Sequence, residues 1–339
     1  MKNWFTRWLG GSSRPGQAAS PVQSASAPVP DAPGVSSPAA MDVVDSPLSI
    51  DLDLVFYRWL AGAVIHAAEA PEQSAPEQLI LDELGRLVRQ PEAAAGLVPR
   101  VPDVIPQLLR SLRDEGVSGA DLARQVSQDV TLVAEVIREV NTPYYRPTAP
   151  VRTIEGALML LGQNGLRMLL ARVAFRPVIS AQTGRLARQV APQLWAQSEQ
   201  CALAAAMAAP ALGADPFEAY LAGLMQNVGL IVAFRVVDQV AGAAALPRSD
   251  AFAHGLQDSA RTLSARIAYL WELPQPVAAA IMQAGQPDAP VLAQALHQGD
   301  RLAKLRMLLD AGIEGAPALA ATLGAEPRRI FDKLRSEDD

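Results

Sequence analysis

The chain has 339 residues, half of them hydrophobic and only 5% aromatic, with a formal net charge of −6 and a sequence pI of about 5.2. That length fits one large domain or two medium ones, and the acidic balance gives no global attraction to phosphate backbones, so no nucleic-acid partner is expected. The lone cysteine, Cys201, excludes an intrachain disulfide and fits a reducing compartment. In chain order, the opening MKNWFTRWLGG carries charge with no apolar run behind it, unlike a secretory signal. Trp4, Phe5, Trp8 and Leu9 would share one face of a short helix, with Lys2 and Arg7 adding positive charge. That pattern suits an anchor for a partner or peripheral contact with a membrane surface. The structural alternative is a frayed terminus, because so short a segment makes a marginal helix. From Gly10 to Pro47 the chain is rich in Ser, Pro, Ala and Gly, a composition that buries too little apolar area to offset ordering entropy. Residues 1–48 are therefore expected to be a disordered arm, and 49–94 a helical lead-in with helices over 51–70 and 76–90.

Prolines between Val98 and Pro106 predict an extended entry loop. Ser118 offers an N-cap, with Asp121 three residues on. Leu132, Val133, Val136, Ile137 and Val140 recur at helical spacing, and Asn141–Pro147 breaks that helix. Thr153 caps a helix with the stripe Ile154, Ala157, Leu158 and Leu161, which Gly162 ends; Leu166, Leu169, Leu170 and Val173 begin another. Pro192 can open a helix that Pro210 closes. Asp215-Pro216-Phe217-Glu218 is a strong start signal, followed by the stripe Leu221, Leu224, Met225 and Val228. Later helices are predicted over about 256–271, 276–284, 289–310 and 316–335. No alternating strand pattern, no fixed-period repeat and no run of about 18 apolar residues is present, so the expectation is an all-α multi-helix bundle without a membrane span, in the cytoplasm.

Residues about 95–285 resemble the HDOD (HD-related output domain) family of bacterial signalling proteins. The resemblance rests on LVPRVPDVIPQLL, SGADLARQVSQDVTLVAEVIREVNTPYY, TIEGALMLLGQNGLRMLL and DPFEAYLAGLMQNVGLIV followed by WELP, in that order. It implies an HD-like helical domain over 95–310, with subregions about 95–180 and 181–310, and a C-terminal helix and acidic tail over 311–339. It also implies a comparison with HD phosphohydrolases, in which an early His, a central His-Asp pair and a late Asp hold metal for hydrolysis of a phosphate ester. The corresponding positions here are Gln197, Gln226 with Asn227, and Asp300 in HQGDRLAKL. Neutral amides bind transition metals weakly, and Asn227 lacks the charge of a bridging carboxylate. No metal, no other cofactor and no catalytic residue is therefore expected.

Leu194, Gln197 and Cys201 share one helical face, which places the Gln197 amide among apolar neighbours. Such an amide either lines a ligand pocket or closes a hydrogen-bond network with Gln226 and Asn227, and the second is the expectation because buried polar groups pair. Cys201 reads as a structural thiol. His66 and His254 read as surface or boundary residues, and His297, three positions before Asp300, as a minor candidate for a remnant ligand. Tyr144 and Tyr145 follow the break at Asn141 and are expected to plug a core edge. Gly162 and Gly165 follow no strand and make no phosphate loop. The expected function is a non-catalytic signal-transduction or protein-interaction module whose partner is another signalling protein. The alternative is a receptor for a small anionic ligand such as a cyclic nucleotide, with a metal-dependent phosphohydrolase third.

Overall fold

A computed structural model describes residues 51–62, 74–97, 118–142, 145, 147–241 and 249–334. The expected arm with Trp4, Phe5 and Trp8, the entry loop at 98–106, His66, Tyr144 and the acidic tail lie outside the described residues. Every regular element among the described residues is a helix. In chain order these are α1 (Leu52–Leu60), α2 (Ala75–Arg89), α3 (Pro91–Ala95), α4 (Gly119–Val126), α5 (Val130–Val140), α6 (Ile154–Ser180), α7 (Arg185–Leu212), α8 (Pro216–Met225), α9 (Val228–Ala241), α10 (Asp250–Leu270), α11 (Gln275–Gln283), α12 (Val291–Asp310), α13 (Ala316–Ala321) and α14 (Ala325–Lys333).

The bundle is organised around α7, which packs most extensively against α12 and then against α8. Small residues make that approach close: Ala202, Ala204, Ala205, Ala206, Ala208 and Ala209 are all buried. A Cβ added at Gly299 of α12 would stand 2.8 Å from the Cys201 carbonyl oxygen, and one at Gly223 of α8 would overlap the Ala202 backbone. The apolar stretch Pro216–Val240 is long and apolar enough to cross a membrane by composition, but 83% of its most apolar window is buried inside the bundle.

Local signals behave as the chain order suggests where the partner groups are nearby. Ser118, Thr153 and Asp215 each accept a backbone N–H at their helix starts. Gly162 takes φ 70° and divides α6 into two helical runs, as expected. Several boundaries differ. The helix expected over 51–70 ends at Leu60, where Ala61 and Gly62 turn the chain and Gly62 adopts φ 65°. Helix α7 begins at Arg185, ahead of Pro192, and both Pro192 and Pro210 sit inside it. Its start is supplied by tertiary structure: the Asp238 carboxylate on α9 accepts from Leu186 N at 2.9 Å and Ala187 N at 2.9 Å. Its end is Gly213 at φ 74°, with Gly213 N donating to Pro210 and Ala214 N to Ala209. Helix α10 begins at Asp250 rather than near 256, because Ser249 caps it by accepting from Phe252 N. The segment expected as one helix over 316–335 forms two, α13 and α14.

Candidate functional site

The site begins at a break in a helix. The stripe Leu221, Leu224, Met225 and Val228 does not run on one helix; α8 stops at Met225 and α9 starts at Val228, leaving Gln226 and Asn227 in a turn. Ser264 of α10 bridges the break, donating to the Gln226 carbonyl at 2.6 Å and accepting from Gly229 N at 2.8 Å. Gly229 is required there because a Cβ would collide with the Ala260 carbonyl. From this turn both consecutive amide side chains reach Gln197 on α7, and Gln226 also reaches Asp300 on α12.

Gln197, fully buried on α7, donates from Nε2 to Asp300 Oδ1 at 2.7 Å. Gln226 donates from Nε2 to the same Asp300 oxygen at 2.9 Å and lies 3.4 Å from Gln197 Oε1. Asn227 Nδ2 donates to Gln197 Oε1 and, at 2.9 Å, to Ser198 Oγ, which itself donates to the Leu194 carbonyl at 2.9 Å. Gln197, Gln226, Asn227 and Asp300 thus meet although α7 and α12 are about a hundred positions apart. No side-chain polar atom of Gln197 or Asn227 is left buried without a partner.

The other Asp300 oxygen, Oδ2, accepts from Lys304 Nζ at 2.7 Å. Lys304 Nζ also donates to Asp53 Oδ1 at 2.6 Å, from α1, and lies 5.8 Å from the centre of the Phe56 ring. The lysine side chain is only 14% exposed. Burial opposes its charge, but Asp300 and Asp53 outweigh that and push its pKa up. In turn the Lys304 ammonium holds the Asp53 carboxyl below the usual carboxylate range. Lys304 and Asp53 were not among the residues singled out from sequence. Lys304 had a signal, the Asp-to-Lys spacing of four on one helix; Asp53 had none, because its helix precedes α12 by more than two hundred positions.

Beside this network lies a cavity of about 80 Å³, lined in part by Tyr57, Arg261, His297 and Lys304. His297 is half-buried, and burial pushes its pKa down. His254 is exposed and pairs with Asp51 at 2.7 Å. Cys201 is fully buried, and burial pushes its thiol well up. Tyr145 is buried.

The residues do not fit a catalytic metal. Among the described residues no three His, Cys, Asp or Glu side chains gather into a metal-binding group. An ammonium sits between the two carboxylates, and the Gln197 and Gln226 amides already donate to one of them. A divalent ion there would meet a fixed positive charge and N–H groups rather than lone pairs.

Comparison with known proteins agrees with this architecture. A match of 26% identity over 137 residues joins the chain to an uncharacterized protein of Treponema pallidum (strain Nichols), covering 40% of this chain and 26% of that protein, so the chain spans about a quarter of that relative's length. Among solved structures, an HDOD domain protein of unknown function from Geobacter sulfurreducens superposes with a TM-score of 0.53 at 22% identity, covering 75% of this chain and 94% of that one. A protein from Shewanella amazonensis SB2B, named a candidate metal-dependent phosphohydrolase, superposes with a TM-score of 0.50 at 15% identity, covering 77% of this chain and 100% of that one. At these identities the likeness is one of fold. The HDOD domain family itself matches residues 98–287, a segment that contains Gln197, Gln226 and Asn227 and stops short of Asp300 and Lys304. Because that match takes in more than half of the sequence, this chain belongs to the HDOD domain family.

Proposed function

We propose that this chain is a non-catalytic signal-transduction or protein-interaction module, acting through contact with another signalling protein. One observation carries the reading: the positions that resemble HD metal-ligand positions are spent on one another, with Gln197 and Gln226 both donating to Asp300 and Asn227 donating to Gln197. A hydrolytic site needs open coordination positions and a metal-activated water. A closed network instead joins α7, the α8–α9 turn and α12 into a rigid unit suited to presenting a surface.

The reading as a receptor for a small anionic ligand draws on Arg261 and Lys304 at the cavity. The volume supports a smaller occupant than a nucleotide: about 80 Å³ against roughly 300–1,000 Å³ for small-molecule sites. The test is a phosphodiesterase assay of the purified chain with Mn²⁺ or Mg²⁺, together with elemental analysis and thermal shift with cyclic nucleotides. The expected result is no turnover, no stoichiometric metal and no nucleotide-induced shift. Turnover that disappears in Asp300→Asn would overturn the non-catalytic reading, and a saturable nucleotide shift would favour the receptor.

A further inference from the structure

The Gln197 and Gln226 amides occupy one oxygen of Asp300, but they do not account for its charge. Asp300 and Asp53 are carboxylates from two helices, turned toward one point, with side-chain exposures of 15% and 35%. Two carboxylates so placed repel each other and need a cation or a proton between them. The group found at that point is the Lys304 ammonium, 2.7 Å from Asp300 and 2.6 Å from Asp53. We propose that Lys304 is the resident cation of this pocket: its ammonium holds the place between Asp53 and Asp300 that is otherwise a site for a divalent cation, and so keeps metal out.

The proposal rests on the non-catalytic reading and deepens it, because it assigns the exclusion of metal to one residue. Three observations bear on it. The charge is fixed in position, since Lys304 donates to both carboxylates and its Nζ lies 5.8 Å from the centre of the Phe56 ring. The second carboxylate is brought by α1, which lies outside the family-matched segment but is clasped to it: Arg58 pairs with Asp250 at 2.5 Å, and Gln257 donates to the Asp53 carbonyl at 2.9 Å. Removing the ammonium would free Asp300 Oδ2 and Asp53 Oδ1, and carboxylate oxygens are donors that Mg²⁺ and Mn²⁺ prefer, with the adjoining cavity able to admit water to complete the shell. An ammonium tethered four residues from Asp300 competes for that place intramolecularly, without the cost of bringing in a free ion.

The full chain tests this by thermal unfolding with EDTA, with MnCl₂ and with MgCl₂. The wild type is expected to melt at the same temperature in all three. Lys304→Ala, which leaves both carboxylates and opens space, is expected to melt lower in EDTA and to recover on adding MnCl₂, with isothermal titration giving one Mn²⁺ per chain. Adding Asp300→Asn to Lys304→Ala is expected to restore part of the EDTA melting temperature and abolish the Mn²⁺ response. Should Lys304→Ala be insoluble, the electroneutral pair Lys304→Met with Asp300→Asn is expected to fold where Lys304→Met alone does not. Lys304→Ala that melts alike with and without Mn²⁺ overturns the proposal, as does a wild type that binds Mn²⁺ at Asp300. A double variant no more stable than its single parent also overturns it. Phosphodiesterase turnover by the wild type would instead overturn the functional reading, so the two failures are distinguishable.

Discussion

At the scale of single residues, the energetics of this molecule turn on a few buried polar groups. Asn227 is 7% exposed and donates to Gln197 and Ser198. Asn227→Ala leaves Gln197 Oε1 with a lone, long contact to Gln226, and should lower stability by about 1–3 kcal/mol in urea melts. A loss below the error of the melts would mean that the network contributes nothing to holding the turn. His297 sets a pH dependence. Its folded pKa is pushed below the unfolded value by burial, near Asp300, Arg301, Asp53 and Lys304. Below about pH 6.5, the ordinary imidazole value, the unfolded chain therefore binds more protons than the folded one. Its contribution is present above that pH and is lost as the pH falls toward the folded value. His297→Gln should flatten the slope of unfolding free energy between about pH 7.5 and about pH 5.5 relative to wild type; an unchanged slope would assign the dependence elsewhere.

At the scale of elements, the helix starts fall into two kinds. Ser118, Thr153, Asp215 and Ser249 cap from within their own segment. Helix α7 is capped from a distance, by Asp238 of α9, and Gly184 leaves room for that carboxylate because a Cβ there would press on Asp238. Asp238→Ala removes the acceptor for Leu186 N and Ala187 N and should cost about 0.5–2 kcal/mol, as loss of a local cap does. The first turn of α7, near Arg185, should then lose protection from hydrogen exchange while the centre of α7 keeps it. Equal loss along the whole helix would show that the cap and the packing are not separable.

At the scale of the whole molecule, the described helices share one hydrophobic core that runs from Leu52 to Leu334. The subregions expected around 95–180 and 181–310 are joined by charge as well as by packing: Arg172 of α6 pairs with Glu139 of α5 and Glu199 of α7, all largely buried. Burial pushes the Glu199 carboxyl upward against the pull of Arg172. A core without a seam predicts that thermal melts followed by far-ultraviolet and near-ultraviolet circular dichroism coincide. Two separated transitions would show that the halves unfold independently.

Helix content, the caps at Ser118, Thr153 and Asp215, the kink at Gly162 and the buried face carrying Gln197 and Cys201 were all legible in the sequence, because each depends on groups within one or two turns. The family was legible for a related reason, since the order of short apolar stretches survives where single residues change. Three features were decided only by tertiary structure. Helix α7 runs through Pro192 because Asp238 and the neighbouring helices outweigh a local helix breaker. The chain leaves helix at Gln226–Asn227 because Gly229 meets Ala260 and Ser264 ties the break, so a stripe that reads as continuous is cut in two. Lys304 and Asp53 meet because α1 folds back onto α12, and no periodicity within either helix encodes which distant carboxylate a lysine will face. Local spacing determines which groups share a face; only the packing of faces determines which charges neutralise one another.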